Sequence, residues 1–367
     1  MLKWGRKGGV FMECCLDLNK TYAIALEGGG AKGGYEIGVW KALDEAGVKY
    51  NAVAGTSVGA LNGALMVMRD LPRAIDAWSS IHMSKVIDLG DLEEEDVKKF
   101  MEGEVELGDW QGLIAQAVDV IRNRGLDVAP LRAWVREIID EQRVKDSDVD
   151  FYVCTVSLTD RKALEVHVNE LPADQICDML LASAYHPSFR LEKLGGKYYA
   201  DGGFVDSLPI HPLIEAGYRD IIAVRIPSMG VERRFKMPED ANVTTIRTWA
   251  DLGHVLNFDA AQARRDMEIG YLDARRVLYG LHGRRYYFER TMSEREALAW
   301  ILDRYGGTAE SLRAYLEQEL PRAAERLDAE ESDYYELMLL LAEKEAEKQG
   351  LEPLRVYADR ELLDALE

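Results

Sequence analysis

Apolar and polar positions in the first part of the chain repeat one unit, a short apolar run followed by an amphipathic stretch. TYAIAL (Thr21–Leu26) and YNAVA (Tyr50–Ala54) are short and apolar, as buried parallel strands are. EIGVWKALDEAG (Glu36–Gly47) has apolar side chains at helical spacing and ends at a glycine, and ALNGALMVM (Ala60–Met68) is a second helical stretch. The alternation predicts an α/β protein with a parallel sheet.

The same patterns divide the rest of the chain. Four more segments are typical of strands: Asp150–Leu158, Ala163–Leu171, Lys197–Gly203 and Asp220–Pro227. After Met237 the spacing becomes helical, in Leu252–Gly280, in Ser293–Gly306 with its capping-box pair Ser293 and Glu296, and in Asp333–Gly350. We therefore predict an N-terminal tail (residues 1–20), an α/β domain (21–236) and a C-terminal helical region (237–367) that serves as a scaffold or a homo-oligomer surface.

Residues 72–130 interrupt the α/β pattern. They contain the acidic run DLGDLEEEDVKKF (Asp88–Phe100) and the amphipathic stretch WQGLIAQAVDVIRN (Trp110–Asn123). Both indicate a helical insertion beside the sheet. A solvated face is the preferred interpretation of the charges, and a lid over a pocket is the alternative.

Composition narrows the class of partner. The 367 residues include 45 basic and 65 acidic side chains, which gives a net charge of -20. This charge opposes binding to nucleic acid and electrostatic adsorption to anionic lipid, because both depend on clustered Lys and Arg. Any membrane contact is expected to be transient, peripheral and apolar.

Cysteines and the N-terminus bear on the compartment. Cys14, Cys15, Cys154 and Cys177 lack metal-ligand spacing and are interpreted as reduced thiols. The N-terminal stretch is basic but has no continuous apolar run of signal-peptide length, and no window reaches the length of a membrane span. A cytoplasmic protein without metal or cofactor is the expectation.

A glycine-rich loop, Gly28–Gly34, follows the first predicted strand. Gly28, Gly30 and Gly33 match G-x-G-x-x-G, which favours a nucleotide-binding protein as one hypothesis. The second strand ends without the carboxylate that holds a ribose, and Lys32 is followed by glycine instead of the Ser or Thr of a P-loop. The phosphate interpretation therefore remains the weaker one.

The second strand ends in GTSVG, residues Gly55 to Gly59. This is G-x-S-x-G at a strand-to-helix junction, where a sharp bend exposes the Ser57 hydroxyl at a helix N-terminus. If the first two strands are neighbours, the loop Gly28-Gly29-Gly30 lies beside Ser57. Its backbone N–H groups then stabilise a transient oxyanion.

The base for such a serine is less clear from the residues alone. None of the six histidines stands in a compelling context. Asp201, in ADGGFVDSLP, ends an apolar strand, and a buried carboxylate with a raised pKa can accept a serine proton directly. Asp-Gly-Gly is equally common as a plain turn.

The motifs GGGAKG, GTSVG and DGG, in this order, resemble the three signatures of the patatin-like phospholipases. The similarity includes SAYHPSF (Ser183–Phe189) and VDSLP (Val205–Pro209), and it extends from about Tyr22 to Ile226. It implies a three-layer α/β/α fold with a mostly parallel central sheet and, here, a C-terminal helical extension. Plant patatins carry asparagine where Asp206 stands. This difference affects the residues around the proposed dyad and not the dyad itself.

The resemblance also implies an activity, the hydrolysis of lipid acyl esters by a Ser–Asp dyad through an acyl-enzyme. Ser57 is then the nucleophile, Asp201 the base and Gly28–Gly30 the oxyanion hole. The supporting motif positions are Lys32, Gly33, Gly55, Gly59, Gly202 and Gly203. A catalytically idle lipid-binding or scaffold protein is the remaining alternative.

Overall fold

The computed structural model describes residues 14–88, 125–228, 230–330 and 333–366. The chain forms two compact units. One extends from Leu16 to Ala274, and the other begins at Arg275 and also contains Cys14 and Cys15. Each unit is described by itself.

The larger unit is built on one sheet. The described residues contribute seven strands to it. The strands are β1 (Thr21–Leu26), β2 (Lys49–Thr56), β3 (Asp150–Ser157), β4 (Lys162–His167), β5 (Tyr199–Asp201), β6 (Asp220–Arg225) and β7 (Asn242–Arg247). Their order is β4-β3-β2-β1-β6-β7, and β5 pairs with β3. Neighbours from β3 to β7 along this order are parallel, whereas β4 and β5 run antiparallel to β3. The predicted mostly parallel sheet is confirmed.

Helices connect and cover the strands. They are α1 (Gly34–Glu45), α2 (Val58–Val67), α3 (Leu71–Ser79), α4 (Ala129–Ile138), α5 (Glu141–Lys145), α6 (Ile176–Ser183), α7 (Ile210–Glu215) and α8 (Ala260–Tyr279). Single 3-10 turns lie at Gly30–Gly33, Met83–Lys85, Val168–Glu170, Ala173–Gln175 and Gly202–Phe204. The helices predicted after β1 and β2 are therefore confirmed, and both begin two residues earlier than predicted.

Helices cover both faces of the sheet. On one face, alanines of β1 and β2, such as Ala25 and Ala54, form a buried cluster with Leu213 of α7. On the other face, α2 lies so close that Gly63 approaches the Phe151 ring. Small residues at these contacts allow the helices to pack near the strands. The result is a three-layer α/β/α arrangement.

The larger unit extends beyond residue 236, where the sequence places the domain boundary. Strand β7 pairs with β6 in parallel register from Asp220↔Asn242 to Arg225↔Arg247. The sheet therefore includes residues of the predicted helical region, and the division between the units falls within α8. The sequence pattern misses this strand because the surface of β7 is polar, with Ile246 as its one fully buried side chain.

The predicted insertion at residues 72–130 is described only at its two ends. Trp78 on α3 is fully buried, and the N–H of Asp88 donates to the carbonyl of Asp127 at 2.9 Å. The two described ends are therefore joined by a backbone hydrogen bond. The acidic run after Asp88 and the stretch Trp110–Asn123 lie outside the described residues, so the lid stays a prediction.

The smaller unit is mostly helical, as predicted for the C-terminal region. It contains α9 (Glu294–Tyr305), α10 (Ala309–Ala314), a π-helical turn (Tyr315–Glu319), α11 (Leu320–Leu327), α12 (Tyr334–Gln349), α13 (Asp359–Ala365) and a parallel pair, β8 (Tyr287–Glu289) with β9 (Val356–Ala358). The capping box of Ser293 and Glu296 is confirmed. In the part of the chain that is described, no helix has both the length and the apolar surface that crossing a bilayer requires.

Candidate active site

Ser57 occupies the bend between β2 and α2. Its backbone has φ 56° and ψ -124°. L residues rarely adopt this conformation because it is strained, and such strained residues are concentrated at functional turns. The bend brings Gly55 against Gly59. A Cβ on Gly55 would lie 2.2 Å from the Gly59 carbonyl oxygen, so the turn can close only with glycine at this position.

The pairing of β3 explains why Asp201 lies beside Ser57. One edge of β3 pairs with β2 as far as Thr56↔Cys154, and its other edge is occupied by β4. Strand β5 pairs with β3 from the next position, Thr155↔Asp201. Asp201 therefore lies just beyond the end of β2, and its Oδ2 accepts a hydrogen bond of 2.7 Å from the Ser57 hydroxyl.

The Asp201 carboxylate accepts two hydrogen bonds and is partly buried in protein. Its Oδ1 accepts a hydrogen bond from the Gly203 N–H at 2.8 Å, and Ser57 donates to the other oxygen. Burial raises the pKa of Asp201 to about 6, although both hydrogen bonds act in the opposite direction. The carboxylate is ionised at neutral pH and is a stronger base than an exposed aspartate.

Ser183, at the end of α6, holds the bend from behind. Its hydroxyl accepts a hydrogen bond from the Ser57 N–H at 2.9 Å and donates to the Cys154 carbonyl at 2.6 Å. The side chain is fully buried. Sequence reasoning included Ser183 only within the SAYHPSF resemblance, and no local pattern indicates this role.

The glycine loop follows β1, the parallel neighbour of β2. The Gly28 N–H donates to the Ser207 carbonyl at 2.9 Å, whereas the N–H groups of Gly29 and Gly30 have no hydrogen-bond partner among the described residues. Gly30 has φ +57°, and a Cβ there would lie 2.2 Å from the Val255 carbonyl oxygen. The loop thus presents two unpaired amides next to Ser57.

The other loop positions named from the motif have packing roles. The Lys32 ammonium donates to the Pro227 carbonyl at 2.7 Å, and burial lowers the pKa of Lys32. Gly33 lies against the Trp78 ring, which a Cβ would approach to 2.4 Å. These residues position the loop, and neither lines the cavity described next.

A cavity of about 180 Å³ opens above Ser57 and Asp201. Gly28, Gly29 and Gly30 also line it. Most of its wall is apolar, contributed by Val58, Leu61, Trp78, Val86, Leu131, Trp134, Phe189, Phe204, Val255, Leu256 and Phe258. Among the described residues that line the cavity there is no Lys or Arg. Such a pocket suits a hydrocarbon chain next to a polar reacting centre.

The histidines take no part in the Ser57–Asp201 hydrogen bond. In the described chain, which includes all six, none is bonded to either residue. His211 Nδ1 lies 3.0 Å from Glu165 Oε1, and His186 lines the cavity.

One cluster could bind a cation. Ligand atoms of Cys154, Glu165 and Asp206 lie within 4.8 Å of one another. Arg233 donates to Glu165 Oε1 at 2.7 Å and supplies positive charge there. Burial raises the pKa of Asp206 to about 7. The three residues come from β3, β4 and the loop after β5, so no sequence spacing indicates the cluster.

The fold and this site define an α/β protein that carries a serine elbow at the carboxyl edge of a parallel sheet. The family model for patatin-like phospholipases matches residues 24–214. The chain belongs to the patatin-like phospholipase family, and the resemblance stated from the motifs is confirmed.

Relatives and solved structures share parts of this chain. Lysophospholipase NTE1 of Mycosarcoma maydis is 26% identical over 216 residues, which are 57% of this chain and 10% of that protein. Human patatin-like phospholipase domain-containing protein 6 is 26% identical over 213 residues, 57% of this chain and 13% of that protein. The chain thus matches a small part of the length of these relatives. The structure of VipD from Legionella pneumophila aligns with a TM-score of 0.44 and 14% identity, covering 95% of this chain and 90% of VipD.

Proposed function

We propose that the protein is a serine acyl-ester hydrolase of lipids that uses a Ser57–Asp201 dyad. The observation that carries the proposal is the 2.7 Å hydrogen bond between these side chains at the base of an apolar cavity. Membership of the patatin-like phospholipase family supports the substrate class, because lipid esters present both an apolar chain and a carbonyl group.

In the first step, Ser57 Oγ attacks the acyl carbonyl while Asp201 Oδ2 accepts the hydroxyl proton. The pKa of about 6 favours this transfer, because a base is most effective when its pKa lies near the working pH. The proton then moves from Asp201 to the leaving alcohol oxygen as the ester C–O bond breaks. The product of this step is an acyl-enzyme on Ser57.

The negative charge on the carbonyl oxygen is stabilised by backbone amides. The N–H groups of Gly29 and Gly30 are unpaired in the described structure, and Val58 presents another at the N-terminus of α2. The Gly28 amide is occupied by Ser207, so in this proposal Gly28 contributes space instead of a donor. One such donor is typically worth about 3–4 kcal/mol of transition-state stabilisation.

The second step returns the enzyme to its initial state. Asp201, again ionised, accepts a proton from a water molecule, whose oxygen attacks the acyl-enzyme carbonyl. As the bond between the acyl carbon and Ser57 Oγ breaks, Asp201 returns the proton to Ser57 Oγ and the fatty acid is released. The apolar wall holds the acyl chain during both steps, with about 0.8 kcal/mol for each buried CH2 group.

Site-directed variants test the dyad. Ser57→Ala and Asp201→Ala should each abolish the turnover of p-nitrophenyl esters and of a lipid extract, while a fluorophosphonate probe labels the wild type at Ser57. His211→Ala should remain active. Loss of activity in folded His211→Ala would favour a histidine triad, and stabilisation by nucleotide with Ser57 unlabelled would favour a phosphate-binding loop.

A further inference from the structure

His186 lines the cavity that Ser57 and Asp201 also line. The segment that precedes it is hydrogen-bonded to the backbone of both dyad residues: Ser183 Oγ accepts from the Ser57 N–H at 2.9 Å, and the Tyr185 carbonyl accepts from the Asp201 N–H at 3.0 Å. His186 follows directly and lines the same cavity. Its ring packs edge-to-face on Phe189, with centroids 5.8 Å apart, which fixes its orientation.

The hydrogen bonds of His186 assign its ring proton. The Ser188 N–H, which can only donate, lies 3.3 Å from His186 Nδ1, and the Ser188 hydroxyl lies 2.7 Å from the same atom. Nδ1 is therefore the acceptor, and the proton of the neutral ring is on Nε2. Burial lowers the pKa of His186 to about 4, so the ring is neutral at physiological pH.

His186 Nε2–H has no hydrogen-bond partner within the described residues. The atom is not enclosed by protein, because it is absent from the buried polar atoms that lack a partner. This accessible donor belongs to a residue that lines the cavity. In a mostly apolar wall, a bound substrate covers this N–H, and the covered donor is costly unless a substrate atom accepts from it.

The sheet order indicates which substrate atom this is. Strand β2 lies between β1 and β3, so the glycine loop after β1 and the segment 183–186 beside β3 flank Ser57 from opposite sides. The carbonyl oxygen belongs on the glycine side. The leaving oxygen must come near Asp201, because Asp201 holds the proton it receives, and Asp201 is bonded to the residue before His186.

We propose that His186 donates its Nε2–H hydrogen bond to the leaving alcohol oxygen of the substrate, an inference that rests on the proposed function. As the ester C–O bond breaks, its electron pair goes to the leaving oxygen, the proton comes from Asp201, and His186 keeps its own proton throughout. The hydrogen bond from His186 stabilises the negative charge that develops on the leaving oxygen before that proton arrives. It therefore favours aliphatic esters, such as esters of glycerol, whose leaving oxygens are strongly basic.

A series of esters with one acyl chain and alcohols of increasing pKa tests this role. His186→Leu keeps an apolar side chain of moderate size without a donor, and His186→Gln keeps a donor near the Nε2 position. We expect His186→Leu to lower kcat/KM about 10- to 100-fold for glycerol and alkyl esters and only several-fold for p-nitrophenyl esters, whose leaving oxygen needs little stabilisation. His186→Gln should recover much of the loss for the aliphatic esters.

The slope of log kcat/KM against the pKa of the leaving alcohol separates this role from a structural one. A steeper slope in His186→Leu than in the wild type and in His186→Gln supports the proposal. Equal losses for all esters, or equal losses in both variants, would overturn it and leave His186 as part of the cavity wall. If the wild type hydrolyses none of the esters, it is the proposed function that fails.

Discussion

Asp201 sets the lower pH limit of the proposed reaction. Its pKa of about 6 is raised by burial, and only the ionised form can accept the Ser57 proton. We therefore expect kcat/KM to be constant above about pH 6 and to fall about tenfold per unit below it. A pH profile on a p-nitrophenyl ester, repeated in His211→Ala, checks this assignment. If kcat/KM instead falls only near pH 4, or if the midpoint of the fall moves in His211→Ala, the titrating group is not Asp201.

Gly30 is the loop residue at which a side chain should have the largest effect. It combines φ +57° with the Val255 carbonyl, 2.2 Å from the position of a Cβ, so Gly30→Ala must displace the loop that carries the proposed amide donors. We expect kcat/KM to fall at least about 100-fold, as for the loss of an oxyanion donor. Gly47→Ala is the matched control, since Gly47 has φ +76° and open space around it.

The two glycine variants distinguish the general effect of backbone strain from a specific effect on the loop beside Ser57. Gly47→Ala should cost about 1 kcal/mol of unfolding free energy through backbone strain and leave kcat/KM unchanged. Equal kinetic losses in both variants would mean that the effect of Gly30→Ala is general destabilisation, and full activity in Gly30→Ala would remove this loop from the proposed oxyanion hole.

At the residue scale, the sequence was most informative where the backbone itself dictates residue type. The bend at Ser57 requires small neighbours, so it leaves a G-x-S-x-G pattern. Asp201 was recognisable through its two glycines and the family resemblance. Ser183 and the pairing of the Gly28 amide with Ser207 were not predictable from pattern, because these hydrogen bonds join residues that are 126 and 179 positions apart in the chain.

At the scale of elements, α6 fixes the bend between β2 and α2. Ser183, at its end, links the Ser57 amide to the Cys154 carbonyl of β3. Three elements are thus joined through one buried hydroxyl. A change at α6 should therefore alter the geometry of Ser57, the proposed nucleophile, without touching the substrate.

Ser183→Ala removes both hydrogen bonds and leaves a buried N–H and a buried carbonyl without this partner. We expect a loss of about 1–3 kcal/mol of unfolding free energy together with a loss of more than tenfold in kcat. Urea unfolding and ester kinetics measure the two effects. Ser80→Ala is the control, because Ser80 is exposed and its hydroxyl donates to the Asp76 carbonyl in the preceding helix α3. Wild-type kcat in Ser183→Ala would show that the bend holds its shape without this link.

Element prediction succeeded for six of the seven strands described in the sheet and failed at β7, one of its edge strands. Strands β1 and β2 are buried over most of their length and therefore have an apolar signature. Strand β7 has an exposed, polar surface with Ile246 as its one fully buried residue. An edge strand satisfies its backbone on one side only and needs little apolar surface, which explains why the predicted boundary at residue 236 precedes this strand.

At the scale of the whole molecule, acidic side chains outnumber basic ones in the sequence and also among the buried charged side chains of the described residues. The net charge is -20, and several carboxyls are buried with incomplete pairing. Asp206 and Asp266 each have one oxygen without a partner in the described structure, and burial raises the pKa of each to about 7. Both groups are therefore protonated in the folded protein at a pH where they are ionised in the unfolded chain.

Asp266, on α8, provides the clearest test of this stability cost. Its Oδ1 accepts from Gln262 at 2.7 Å, Lys32 and Arg265 favour its charge, and Asp251 opposes it. Between about pH 4 and pH 7 the native state binds the extra proton, so the free energy of unfolding should fall as pH rises, by about 2–4 kcal/mol from this group.

Asp266→Asn keeps the acceptor and cannot ionise, so it should stabilise the protein more at pH 8 than at pH 5. Urea unfolding at both values measures the difference, with Asp76→Asn as the exposed control for the smaller net charge. Equal effects of Asp266→Asn at both pH values would show that this carboxyl ionises in the folded protein without cost.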